Sequence, residues 1–151
     1  MNVDIITLEE KTVYGLWMNS SDKTISKDIK LLSEKYRNAL SAEKLIPFFV
    51  LSRNYSEETK GFELFVGSTK ECVDMSKLVL PKGDYAKITV KPKLGFFWGL
   101  SIGEAKRYFY QQWLPSSLFN GLNMEYEYHN EKTLGKHPTA DIIFAVSKKV
   151  I

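Results

Sequence analysis

Residues 101–115 read Ser-Ile-Gly-Glu-Ala-Lys-Arg-Tyr-Phe-Tyr-Gln-Gln-Trp-Leu-Pro. Ile102, Ala105, Phe109 and Trp113 recur at steps of three and four, which is one face of a helix. Ser101 and Glu104 stand at capping-box spacing, so Ser101 is expected to cap the start. Pro115 is expected to end the helix. Upstream, Lys82-Gly83-Asp84 is turn chemistry, and Tyr85 to Lys91 reads as a strand with Ala86, Ile88 and Val90 on one face. Downstream, Asn123 to Asn130 reads as a strand, Glu131 to Thr139 as a polar connection and Ala140 to Val150 as a closing strand. The order is strand–helix–strand–strand.

The same order occurs earlier in the chain. Val3 to Leu8 and Thr12 to Met18 are extended in character. Between Asp22 and Leu40, the residues Ile25, Ile29, Leu32, Tyr36 and Leu40 mark one helical face, with Asp22 or Thr24 placed to cap it. Pro47 to Arg53 and Gly61 to Thr69 form a hairpin across the polar turn Asn54 to Lys60. Corresponding elements are offset by about 75 residues, so the repeat lies in element order while sequence identity between the halves is negligible. The expected fold is α+β, with tandem duplicated βαββ modules (about 1–75 and 76–151) in a single domain spanning 1–151. Their strands merge into a mostly antiparallel sheet with both helices on one face and a groove between them. Half the chain holds too little core to stand alone.

Composition excludes several classes of function. The chain has 151 residues, 44% hydrophobic and 13% aromatic, with a net charge of only +3. That is a globular domain, not a disordered chain, and its charge argues against direct nucleic-acid binding or an anionic membrane partner. One cysteine, Cys72, and two histidines, His129 and His137, exclude a disulfide framework and leave no basis for a metal site. No apolar run is long enough to span a bilayer. Asp4, Glu9 and Glu10 stand where a signal peptide would be basic and then apolar, so the expected compartment is the cytoplasm. Gly95, Gly99 and Gly103 are spaced by four, which matches neither a dinucleotide nor a phosphate loop; no cofactor is implied. The basic run from Lys23 to Lys44 is interspersed with acids and reads as a solvated helix face. His129 and His137 flank a polar loop and read as surface residues, and Cys72 as inert.

Met124-Glu125-Tyr126-Glu127-Tyr128 carries the most chemistry. In a strand, Glu125 and Glu127 share one face while Met124, Tyr126 and Tyr128 share the other. Either the carboxylates face water over an aromatic core, or they face the helices. In the second case burial raises the pKa of a Glu, and a second Glu raises it further. Such a pair holds a cation or acts as a general acid/base. Periodicity does not choose between the faces. Aromatic residues are plentiful around it, among them Trp17, Phe49, Phe96, Phe97, Tyr110 and Trp113. Most belong to core packing, but a few beside a carboxylate would suit a lipophilic cation.

Leu80-Pro81-Lys82-Gly83-Asp84-Tyr85-Ala86, Gln112-Trp113-Leu114-Pro115-Ser116-Ser117, the Met124 to Tyr128 strand and Asp141-Ile142-Ile143-Phe144-Ala145-Val146 together resemble the GyrI-like (gyrase-inhibitor-like) family. That family includes effector-binding domains of AraC-type and MerR-type regulators. The order and spacing fit across 78–150, and the first half fits through Thr12 to Met18 and the Pro47 hairpin. The resemblance implies tandem βαββ modules and a ligand groove with a central Glu ringed by aromatics. The family's Phe-Glu-x-Tyr motif aligns on Glu125 or on Glu127, and neither alignment has its trailing Tyr, since Glu127 and His129 stand there. The resemblance turns both carboxylates toward the groove. The two modules use the whole chain, so a stand-alone effector domain is expected, with no helix-turn-helix of its own.

The function this implies is binding of a small lipophilic, drug-like molecule, cations included. Glu125 and Glu127 would supply charge, and Trp17, Tyr110, Trp113 and Phe49 the apolar walls. Two alternatives stand beside it. One is a hydrolase of electrophilic, cyclopropane-containing compounds, with Glu125 or Glu127 as catalytic acid/base. The other is a protein-binding inhibitor of the gyrase-inhibitor type, with a protein partner. Oligomeric state is not legible in the sequence.

Overall fold

The computed structural model describes residues 1–41, 47–94 and 98–150. Gly95, Phe96, Phe97 and the end of the basic run at Lys44 lie outside the described residues. Eight strands form one sheet: β1 (Asp4–Leu8), β2 (Lys11–Ser21), β3 (Phe48–Arg53), β4 (Gly61–Ser68), β5 (Ser76–Leu80), β6 (Gly83–Val90), β7 (Phe119–His129) and β8 (Ala140–Lys148). Helix α1 (Ile25–Leu40) joins β2 to β3, and α2 (Trp98–Tyr108) stands between β6 and β7. A π-helical turn (Phe109–Trp113) and a 3-10 turn (Leu114–Ser116) continue α2.

The sheet order is β1-β6-β8-β7-β3-β4-β2-β5, and every pairing is antiparallel. In each repeat the first strand pairs with the last, β2 with β4 and β6 with β8. The middle strands, β3 and β7, then pair across the centre. The α+β fold and the paired βαββ order follow the sequence reading. β5 was missed there, although Leu78 and Leu80 alternate with more exposed neighbours in Ser-Lys-Leu-Val-Leu.

The outer strands are exchanged between the repeats. β1 precedes the first repeat but pairs with β6 of the second; β5 precedes the second but pairs with β2 of the first. These links force the sheet to curl. β1 and β2 stand six places apart in the strand order, about 29 Å in a flat sheet at ~4.8 Å per strand. Leu8 and Lys11 are three residues apart, however, and three residues reach no more than about 10 Å. Leu80 and Gly83 impose the same limit on β5 and β6.

Three apolar clusters result. Inside the curl, Val13, Phe49, Leu51, Phe65, Leu80, Tyr85, Tyr126 and Ile143 are buried with no helix above them, and all eight strands contribute to that cluster or its rim. On the other face, α1 lays Leu32 and Tyr36 over Val50, Leu64 and Val66. On that face too, α2 and the π-helical turn after it lay Ile102, Ala105 and Phe109 over Ile88, Ile142 and Phe144, with Phe109 stacked 3.8 Å from Phe144. Both helices therefore cover one face, and β7 with β3 forms the floor of the strip between them. No helix among the described residues is long and apolar enough to cross a membrane.

Two capping expectations are corrected. α2 starts at Trp98, so Ser101 lies inside it, where its hydroxyl donates to the Lys91 carbonyl. Glu104 pairs with Lys93 at 3.3 Å instead of reaching back to Ser101. Thr24 occupies the N-cap position of α1, but its hydroxyl donates to Asp28 rather than to a backbone amide.

Candidate functional site

Register decides which way the carboxylates face. Glu127 pairs across with Val50 and Ile142, and Glu125 with Ser52 and Phe144. Directly opposed residues share a face, and Val50, Ile142 and Phe144 lie under the helices. Glu125 and Glu127 therefore sit on the helix-covered face, and Tyr126 inside the curl. Glu127 is only 8% exposed.

Glu125 is met by two residues of the second helical segment. The Tyr110 hydroxyl donates to Glu125 Oε1 at 2.9 Å, and Lys106 Nζ lies 3.2 Å from Oε2. Oε2 is buried, and although the ammonium balances its charge, no hydrogen bond reaches it. Lys106 and Tyr110 are four residues apart, so one helix edge carries both. The π-turn shapes that edge: the Leu114 amide bonds the Phe109 carbonyl five residues back. Such turns insert a residue into the α-helical ladder and recur at functional sites.

The electrostatics follow from this packing. Burial pushes the Tyr110 phenol well above its ordinary range, and the charge of Glu125 pushes it further, so it remains a protonated donor. For Lys106, burial acts downward, but the charges of Glu125 and Glu127 outweigh it and leave the ammonium above the ordinary lysine range.

Glu127 has a different partner. His129 Nε2 lies 3.1 Å from Glu127 Oε1, and its ring meets Trp98 edge-on at 5.9 Å. The reading of His129 as a surface loop residue is corrected: it ends β7 with its side chain 15% exposed, because residues two apart in a strand share a face. His137 is exposed.

The six residues named from sequence do not all meet. Glu125 and Tyr110 touch, and Glu127 lies one strand step along. Trp113 stacks on Phe109 and Phe119 at the end of the helical segment. Trp17 and Phe49 lie on the opposite face, inside the curl. There Trp17 packs against Phe65 at 4.9 Å with the Arg53 guanidinium over its ring, and Phe49 packs against Tyr126 and Tyr128. Sequence reasoning missed Lys106, His129 and Trp98. The signal for Lys106 was its spacing of four from Tyr110; for His129 it was its place two beyond Glu127. Among the described residues no group of His, Cys, Asp and Glu side chains could hold a metal ion.

No family model matches the chain, and no curated protein matches its sequence. Solved structures do match in fold. An integron cassette protein from the mobile metagenome of Vibrio cholerae superposes with a TM-score of 0.69 at 17% identity, over 96% of this chain and 95% of that one. SAV2435, solved bound to tetraphenylphosphonium, gives 0.69 at 11% identity, over 97% and 94%. The C-terminal domain of EcmrR gives 0.67 at 15% identity, over 97% and 98%; within the EcmrR–DNA complex the matched part is 58% of the longer chain. At these identities the likeness is one of fold. The chain shares the fold of these structures, an α+β fold of the kind the resemblance implied.

Proposed function

We propose that this chain is a small-molecule-binding domain whose ligand is a lipophilic cation held over β7 between the helices. The observation that carries the reading is the carboxylate pair on the helix-covered face, Glu127 buried and Glu125 partly buried, against one ammonium among the described residues, Lys106. A buried carboxylate without a matching charge is costly and favours an incoming cation. The aromatic rings of Tyr110 and Trp98 at this edge offer cation–π and apolar contact. The complex of SAV2435 with tetraphenylphosphonium supports the reading, because that ligand is a lipophilic cation. The binding unit is the whole of 1–151, and the compartment is the cytoplasm, with which a single free cysteine agrees.

Calorimetric titration with tetraphenylphosphonium, and with neutral triphenylphosphine oxide as its uncharged counterpart, tests this. The cation is expected to bind more tightly, and Glu125→Gln and Glu127→Gln each to weaken it about tenfold, ~1.4 kcal/mol. Equal affinity for the neutral compound, or variants indistinguishable from wild type, overturns the reading.

The hydrogen bond from Tyr110 to Glu125 favours a second reading, hydrolysis of an electrophilic compound with Glu125 as general acid/base. It requires that a bound cyclopropane-containing compound be consumed. Recovery of the compound intact rejects it.

A further inference from the structure

We infer that Lys106 is a specificity-determining residue that restricts the groove to ligands of a single positive charge. This rests on the cation reading above and deepens it. Glu125 and Glu127 bring two negative charges to the floor, and Lys106, 3.2 Å from Glu125, cancels one. The Lys106 side chain is 22% exposed and the Glu125 side chain 14%, so the ammonium belongs to the site rather than to solvent. It stays charged, since the two carboxylates outweigh the effect of its burial. His129, the neighbour of Glu127, adds no charge while its imidazole is neutral. Asp22, the other acid acting on Lys106, is exposed and screened by solvent. The floor therefore presents one net negative charge. A monocation neutralises it; a dication leaves an uncompensated positive charge in a half-buried site.

Charge counting sets the test. The floor carries a net charge of minus one in the wild type, minus two in Lys106→Met, zero in Glu125→Gln and minus one again in the double variant. The probes are tetraphenylphosphonium and a butane-linked bis(triphenylphosphonium), titrated at one fixed pH so that His129 enters every measurement alike. Their difference in size enters every measurement alike, so the affinity ratio across variants reports charge. Lys106→Met is expected to move the ratio about tenfold toward the dication, and Lys106→Arg to leave it unchanged.

Because Lys106→Met strands a buried carboxylate and can fail to fold, the decisive comparison uses the other pair. Glu125→Gln should lose tetraphenylphosphonium affinity about tenfold. Adding Lys106→Met to it should restore that affinity to within about threefold of wild type, since one charge is again unmatched. Wild-type binding of tetraphenylphosphonium with no recovery in the double variant overturns the role of Lys106 and leaves the cation reading standing. Absence of binding by either cation to the wild type overturns both.

Discussion

Glu125 and Glu127 share one sequence pattern and meet two environments. Glu125 faces a phenol and an ammonium from the second helical segment, whereas Glu127 faces an imidazole on its own strand. Their common face was legible from spacing, as was the place of His129 two residues beyond Glu127; the partners of Glu125 were not, because Lys106 and Tyr110 come from α2 and the π-helical turn by tertiary packing. A third acid, Asp28, shows how α1 is tied to the sheet. Its Oδ2 accepts from Thr24 Oγ1 and Ser20 Oγ, both at 2.7 Å, which fixes the first turn of α1 to β2. Those hydrogen bonds, that from Thr24 foremost, hold its carboxyl below the ordinary range. A depressed folded-state value stabilises above the unfolded value of about 3.9 and loses that contribution as pH falls through the folded value. Asp28→Asn should thus be less stable than wild type near pH ~7, with the gap narrowing near pH ~3. Urea midpoints at the two pH values measure this; a constant gap refutes it.

At the level of elements, β2 is paired on both edges, with β5 over its first residues and with β4 over the rest. Gly15 pairs with Gly67 of β4 and also with Ser76 of β5. A Cβ on Gly15 would lie 1.8 Å from the Val66 carbonyl oxygen, and one on Gly67 would lie 2.3 Å from that of Tyr14. Both obstacles are backbone, so the strands would have to part. Gly15→Ala is expected to destabilise by about 3 kcal/mol, the upper range for overpacking. Gly83→Ala is its control: with nothing within 4 Å of its Cβ, it should stay within about 0.5 kcal/mol. Thermal unfolding of both variants gives the answer, and a mild Gly15→Ala would mean that the strands do not approach so closely. Strands and helices were largely readable from periodicity. The Ser101 cap was misplaced because helix α2 begins three residues earlier, at Trp98. The π-turn left no mark in the sequence, since its added residue changes the ladder but not the apolar spacing of Ile102, Ala105 and Phe109.

For the molecule as a whole, exchange of β1 and β5 makes each half incomplete. Without residues 1–75, β5 has no β2, β6 has no β1 and β7 has no β3. The cluster inside the curl draws on both halves, with Val13, Phe49 and Phe65 from one and Tyr85, Tyr126 and Ile143 from the other. Fragments 1–75 and 76–151 are therefore expected to be unfolded separately and to regain structure when mixed. Circular dichroism and amide NMR dispersion report this. A dispersed spectrum from either fragment alone would show that the halves are autonomous.

Periodicity alone determined that this protein has two βαββ repeats, which helix faces are apolar and that Glu125 and Glu127 point the same way. Such features depend on local spacing, which a strand or helix carries wherever it packs. Tertiary structure alone decided that Trp17 and Phe49 lie inside the curl and that Lys106 and Tyr110 reach Glu125. These depend on strand register and on the two short links that curl the sheet, and neither has a local signature. An aromatic residue has the same pattern whichever face of a curled sheet it covers; only the closure of that sheet distinguishes the two.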